Sequence, residues 1–193
     1  MLNRAQLYEY VKVHLSLPRF LHSVRTAEMT VDLCEKYGLS QDEGYIAGIA
    51  HDMAREISKA QVIEIAKKDG LPLLEEEIAR PVLLHGRAAA VLLHTMWGEN
   101  RSSVLNAIRW HTQGHPQMGD LGMAVYLSDY LEAGRTHISE NFRSTVLHMN
   151  SLEEMVMEIL KAQFVHLREH HKEISVYAGQ LFSVLEERKY AKI

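Results

Sequence analysis

Cysteine is almost missing from this chain, with one residue, Cys34, in 193. A lone thiol excludes an intramolecular disulfide and a cysteine-built metal site, and its place in an apolar helical pattern reads as a buried structural thiol. Missing too is any apolar run long enough for a secretory leader or a membrane span. The first stretch, "MLNRAQLYEYVKVHLS", carries charges throughout, so a cytoplasmic protein with no membrane partner is expected. No charge sign dominates: 21 Lys and Arg stand against 25 Asp and Glu, with no basic stripe. That excludes a large footprint on a nucleic acid polymer and leaves small anionic ligands open. Sustained two-residue alternation, internal repeats and low-complexity linkers are absent as well. The expectation is an all-α helical bundle forming a single domain over residues 1–193, with a core over about 15–135 and a helical extension over about 139–189.

What is present is helical punctuation. "SQDE" (Ser40 to Glu43), "SKAQ" (Ser58 to Gln61) and "SLEE" (Ser151 to Glu154) match capping boxes, and Gly38, Gly70, Gly98 and Gly134 each close a periodic stretch. Helices are expected at Pro18 to Tyr37, Gln41 to Ala54, Ser58 to Asp69, Gly86 to Trp97, Ser102 to Thr112, Leu121 to Ala133 and Ser139 to Met149. A long last helix is expected from Leu152 to about Glu187. In the first, Arg25, Glu28, Asp32 and Glu35 mark a wet stripe opposite Phe20, Val24, Ala27, Val31 and Cys34. Trp97 and Trp110 read as core anchors.

Histidine is abundant, with 12 residues. Five places put a metal-type ligand on an interior face or at an element end: His22, the pair His51-Asp52 closing the apolar run "YIAGIAHD", His85, His111 and Asp129. Singly, each has an ordinary meaning, a hydrogen-bonded core histidine or an ion-paired carboxylate. Together, four histidines and two aspartates within one small helical domain share one explanation, ligation of divalent iron, manganese, zinc or nickel. Six ligands exceed one tetrahedral ion and suit two ions about 3.5–4 Å apart, with Asp52 the natural bridge and phosphoryl chemistry a natural use. The small residues Ala47, Gly48 and Ala50 would let neighbouring helices approach.

These residues, with the blocks "AIRWHTQGHPQM" and "YLSDYLEAGR", resemble the HD-domain metal-dependent phosphohydrolases, whose pattern is H…HD…H…H…D, and within them the symmetrical diadenosine tetraphosphatases (YqeK family). The resemblance covers roughly residues 7 to 185. It implies a dinuclear centre favouring iron, with His22, His51, Asp52 and Asp129 around one ion and Asp52, His85 and His111 around the other. It also implies cleavage of diadenosine tetraphosphate at its central linkage to two ADP. Under it, Asp52 and Arg55 are the catalytic candidates, and Arg55, Arg87, Thr112, Gly114, His115 and Arg135 the candidates for holding substrate. The chain departs from the family at Arg55, where lysine is usual, and in "GHPQM" and "LEAGR", where "GRPGM" and "IEPGR" are usual. A protonated His115 would stand in for the missing arginine. The alternatives are an HD hydrolase for nucleoside mono- or triphosphates or a guanosine alarmone, an HD-fold di-iron oxygenase that would need dioxygen, and a non-catalytic nucleotide-binding protein. A homodimer is compatible with the apolar helical surface, although no segment isolates such a patch.

Overall fold

A computed structural model of the chain describes residues 3–191. The domain limits read from the sequence extend two residues past that span at each end. Eleven α-helices and no strand are found among the described residues: α1 Arg4–His14, α2 Leu17–Lys36, α3 Gln41–Ala50, α4 Lys59–Ala66, α5 Glu75–Ala79, α6 His85–Trp97, α7 Ser102–Trp110, α8 Gly119–Leu131, α9 Glu140–Leu147, α10 Leu152–Glu169 and α11 Val176–Ala191. The all-α expectation holds. The expected caps form: Ser40, Ser58 and Ser151 accept from the amides of Glu43, Gln61 and Glu154. Two helices went unassigned in the sequence reading. One is α1, started by Asn3 accepting from the amides of Ala5 and Gln6; the other is the short α5.

Three expected helix ends move. The helix over Gln41 to Ala54 stops at Ala50, and residues 51–56 continue as tight turns held by Met53 donating to Ala50 O and Arg55 to Asp52 O. The His-Asp pair therefore stands just past a helix end, where side chains splay from the axis. The long last helix is two, α10 and α11. They part where His171 takes φ +52° and Lys172 N–H reaches back to Leu167 O, a C-terminal motif achieved without glycine. Gly134 ends no helix, since α8 stops at Leu131; a Cβ there would collide with the Arg25 guanidinium.

Two packed clusters fill the interior. One gathers Leu7, Phe20, Ile46, Ile49, Leu84 and Ile108, with further residues from α4 and α6. The other joins α8 to α10 and α11 through Leu127, Leu131, Met155, Ile159 and Leu181. Helix α8 serves both, with Leu121 and Val125 in the first and Met123, Tyr126 and Leu127 in the second, so it is apolar on nearly every side. Two crossings within this core are exceptionally close. A Cβ on Gly48 of α3 would stand 2.6 Å from Ala27 Cα in α2, and one on Gly86 of α6 would stand 2.8 Å from the carbonyl oxygens of both Ile108 and Arg109 in α7. Each crossing brings a pair of histidines together.

Candidate metal centre

The α2–α3 crossing sets His22 against His51, with Nε2 atoms 3.2 Å apart. The α6–α7 crossing sets His85 against His111, with Nε2 atoms 3.0 Å apart. Asp52 lies between the pairs and offers each a different oxygen. Oδ1 stands 3.0 Å from His85 Nε2 and 3.9 Å from His111 Nε2, while Oδ2 stands 3.5 Å from His51 Nε2 and 3.7 Å from His22 Nε2. Asp129, on the last turn of α8, completes the first set, with Oδ1 3.0 Å from His22 Nε2 and 3.9 Å from His51 Nε2. The four histidines and Asp52 are buried, and Asp129 keeps an exposed edge. Two metal-capable groupings emerge from these distances alone, His22-His51-Asp129 and His51-Asp52-His111.

The ring tautomers test whether cations belong here. His51, His85 and His111 each donate from Nδ1 to a carbonyl three residues back, on Gly48 (2.6 Å), Val82 (2.6 Å) and Ile108 (2.7 Å). His22 Nδ1 donates to Glu132 Oε1 at 3.0 Å. With Nδ1 holding the proton, every Nε2 presents a lone pair, and four lone pairs and two carboxylates confront one another in a buried space. At His111 a proton is a poor remedy, because burial first, then the neighbouring His51 and His85, push that ring's pKa down to about 3. Burial also opposes charge on His51, but Asp52 outweighs it and raises that histidine. Burial would lift Asp52, yet His51 and His85 hold it well below the usual carboxylate range. A donor set of this kind fits divalent transition metals. Two arginines already reach for its charge: Arg19 donates to Asp52 Oδ2 at 2.7 Å, and Arg135 donates to Asp129 Oδ1 while its terminal nitrogen lies 3.4 Å from His22 Nε2.

Around the ligands, the structure assigns some residues differently from the sequence reading. Arg87 is no surface cation beside a substrate. It is 1% exposed, and its guanidinium is consumed by Asp69, Glu77 and the carbonyls of Leu71 and Pro72, because its position on α6 turns it into the core. His115 is not poised to meet phosphate as a cation. Its ring stacks on Trp110 at 4.1 Å, its Nδ1 accepts from Gln117 N–H, and burial, then Arg109, lower its pKa. Gly114 donates its amide to Trp110 O and adopts φ +73° against Leu181, where a Cβ would clash, so it shapes a turn. Thr112 does reach the centre, with Oγ1 3.3 Å from His85 Nε2 and 3.4 Å from His111 Nε2. Arg55, half-buried, makes no side-chain hydrogen bond or ion pair among the described residues and lines a cleft of about 250 Å³ with His85. Arg135 lines another, of about 300 Å³, with Arg19, Arg25 and His22.

Three residues escaped the sequence reading. Arg19 and Arg25 stand three positions before and after His22, on the same helical face, a spacing that could have flagged them. Arg25, assigned to the wet stripe, instead binds Glu132, and Glu132 in turn orients His22. Burial favours a protonated Glu132, but Arg25 and His22 override it and hold the carboxyl down at about 2. Glu132 thus fixes the tautomer of His22, as an outer-sphere partner of a ligand histidine would.

Comparison with known proteins accords with this geometry. The HD domain family pattern matches residues 19–134, which contain all six candidate ligands. The chain is 32% identical over 136 residues to the symmetrical bis(5'-nucleosyl)-tetraphosphatase of Bacillus subtilis, covering 69% of this chain and 72% of that protein. It is 29% identical to the protein of the same name in Staphylococcus aureus, covering 86% and 84%. A crystal structure of a predicted HD superfamily hydrolase involved in NAD metabolism, from Clostridium acetobutylicum, superposes with a TM-score of 0.89 at 25% identity, over 97% of this chain and 99% of that one.

Proposed function

The chain belongs to the HD-domain hydrolases, and on that premise we propose that it cleaves dinucleoside tetraphosphates symmetrically, diadenosine tetraphosphate giving two ADP. The observation that carries this reading is the split of Asp52 between two histidine pairs, one carboxylate oxygen toward each. His22, His51, Asp129 and Asp52 would hold one divalent ion and Asp52, His85 and His111 a second, with iron the metal that the likeness to the tetraphosphatases favours and manganese suited to the same donors. When bound, such ions supply Lewis acidity toward phosphoryl oxygens and lower the pKa of water.

The chain's own residues do the rest. The carbonyls of Gly48, Val82 and Ile108 and the Glu132 carboxylate fix four imidazole rings, so no rotamer search precedes ligation. Arg19 uses one donor on Asp52 and keeps its remaining guanidinium donors for the cleft it shares with Arg135. Arg55, with no side-chain hydrogen bond or ion pair among the described residues, faces the cleft on the His85 side. Guanidinium groups on both flanks suit a polyphosphate laid across the centre, since the arginine fork matches phosphate oxygens. The names of the Bacillus and Staphylococcus relatives support the substrate.

Chromatographic analysis of products from diadenosine tetraphosphate tests the proposal. ADP as sole product is expected, whereas AMP plus ATP, or no turnover beside rapid hydrolysis of another nucleotide, contradicts it.

A further inference from the structure

All six candidate ligands lie within the residues matching the HD domain family, 19–134, but the chain continues for a further helical layer. That layer builds something. A cavity of about 460 Å³ opens beside Thr112 and Tyr130, the residues that follow the ligands His111 and Asp129. Leu83 contributes an apolar wall from the matched part, and Ile138, Phe164 and Leu167 contribute theirs from beyond it. The volume is that of a small-molecule site, and Arg80, His137, His166 and Glu173 add charged or titratable groups to its wall. Thr112 is the residue the cavity shares with the metal centre: none of the six candidate ligands lines the cavity, but the Thr112 hydroxyl meets the Nε2 atoms of His85 and His111. The α10–α11 connector forms part of its wall through Glu173 and Ser175, and is latched where Ser175 donates to Gln113 Oε1 at 2.6 Å and Val176 N–H to Glu76 Oε1 at 3.0 Å.

One polar group in this cavity is oriented and unspent. Gln163 Oε1 accepts the buried Tyr126 hydroxyl at 2.7 Å, which has no other partner among the described residues, and this sets the amide's direction. Its Nε2 donates to nothing among the described residues. Gln113, by contrast, is fully engaged, Nε2 on Glu77 and Oε1 on Ser175.

We propose that this cavity holds one nucleoside of the substrate, its base between the apolar walls of Phe164 and Leu83, and that Gln163 Nε2 donates to an acceptor on the base edge. The assignment rests on the hydrolase reading above and deepens it: the matched part carries the metal chemistry and α10 the choice of nucleotide. The phosphate chain would leave the cavity past Thr112 toward the two histidine pairs.

Calorimetric binding of ADP and of inorganic pyrophosphate to metal-loaded wild type, Gln163→Leu and Gln163→Glu tests it. Gln163→Leu is expected to weaken ADP roughly tenfold, the value of one lost hydrogen bond, and Gln163→Glu at least as much, while pyrophosphate affinity stays unchanged in both. Unaltered ADP affinity in both variants, equal losses for ADP and pyrophosphate, or a wild type that fails to bind ADP would overturn the assignment. Wild-type turnover of diadenosine tetraphosphate, measured alongside, reports on the hydrolase reading separately, so failure of one is distinguishable from failure of the other.

Discussion

Replacing Gly48 by alanine adds one methyl group at the point where α3 touches α2. That Cβ would stand 2.6 Å from Ala27 Cα, 3.1 Å from its N and 3.2 Å from its Cβ, while ordinary contacts begin at 3.4 Å. The obstacle is backbone, so no side-chain rotation relieves it, and the helices must part by roughly 1 Å. Overpacking of this kind costs about 1–3 kcal/mol. At about 2–4 °C per kcal/mol for a chain of this size, the thermal midpoint should fall by on the order of 5 °C. The displacement also reaches the centre, because Gly48 O accepts from His51 Nδ1 at 2.6 Å and His51 faces His22 across the same crossing. A misplacement near 1 Å can cost about a hundredfold in function, so metal affinity should fall together with stability. The assay is thermal unfolding with and without added metal, beside a metal titration of the folded protein. Gly179→Ala serves as the control: this glycine lies inside α11 with nothing within 4 Å of its added Cβ, and about 0.5–1 kcal/mol of stabilisation is expected. A Gly48→Ala protein that melts at or above the wild-type temperature, or melts lower with undiminished metal affinity, refutes the claim that this crossing sets the His22–His51 spacing.

Other consequences follow from the same geometry. Glu132→Ala should weaken metal binding about 10–100-fold in a metal titration, since His22 loses its Nδ1 acceptor. Glu132 also makes a pH prediction for the metal-free protein. Its pKa falls from 4.5 to about 2 on folding, so its contribution is complete above pH 4.5 and lost as pH falls through 2; Glu132→Gln should flatten this part of the stability curve in acid titration. Arg87→Met leaves Asp69 and Glu77 buried without their partner and should cost about 3–5 kcal/mol in denaturant unfolding, with KM of the surviving folded fraction unchanged. Cys34, 0% exposed, has its thiol pushed up to about 11 by burial, then by Glu43; no alkylation at pH 8 is expected in the native protein and one equivalent after unfolding.

The convergence of the six candidate ligands was legible because imidazole and carboxylate are unusual on apolar helical faces, and His22, His51, Asp52, His85, His111 and Asp129 interrupt such faces visibly. The need for close helices was legible at Gly48 for the same reason, but Gly86 was not singled out, because its contact is with carbonyls more than twenty residues away. Pairings were harder still. Glu132 meets His22 and Arg25 across more than a hundred positions, and no local pattern announces that. Arg87 misled for a related reason: an arginine after a ligand histidine suggests a surface cation, and only the fold reveals Asp69 and Glu77 waiting inside. The α10–α11 break was hidden because "HHKEIS" lacks glycine and proline, so His171 carries the positive φ that a glycine would have advertised.

The central claim is that Asp52 is shared by two ions, and elemental analysis of metal per folded chain tests it most directly. Wild type is expected to hold two ions, His85→Ala to retain the one bound by His22, His51 and Asp129, and Asp52→Asn to lose affinity at both positions. An Asp52→Asn protein that keeps two ions per chain with undiminished affinity would contradict the account.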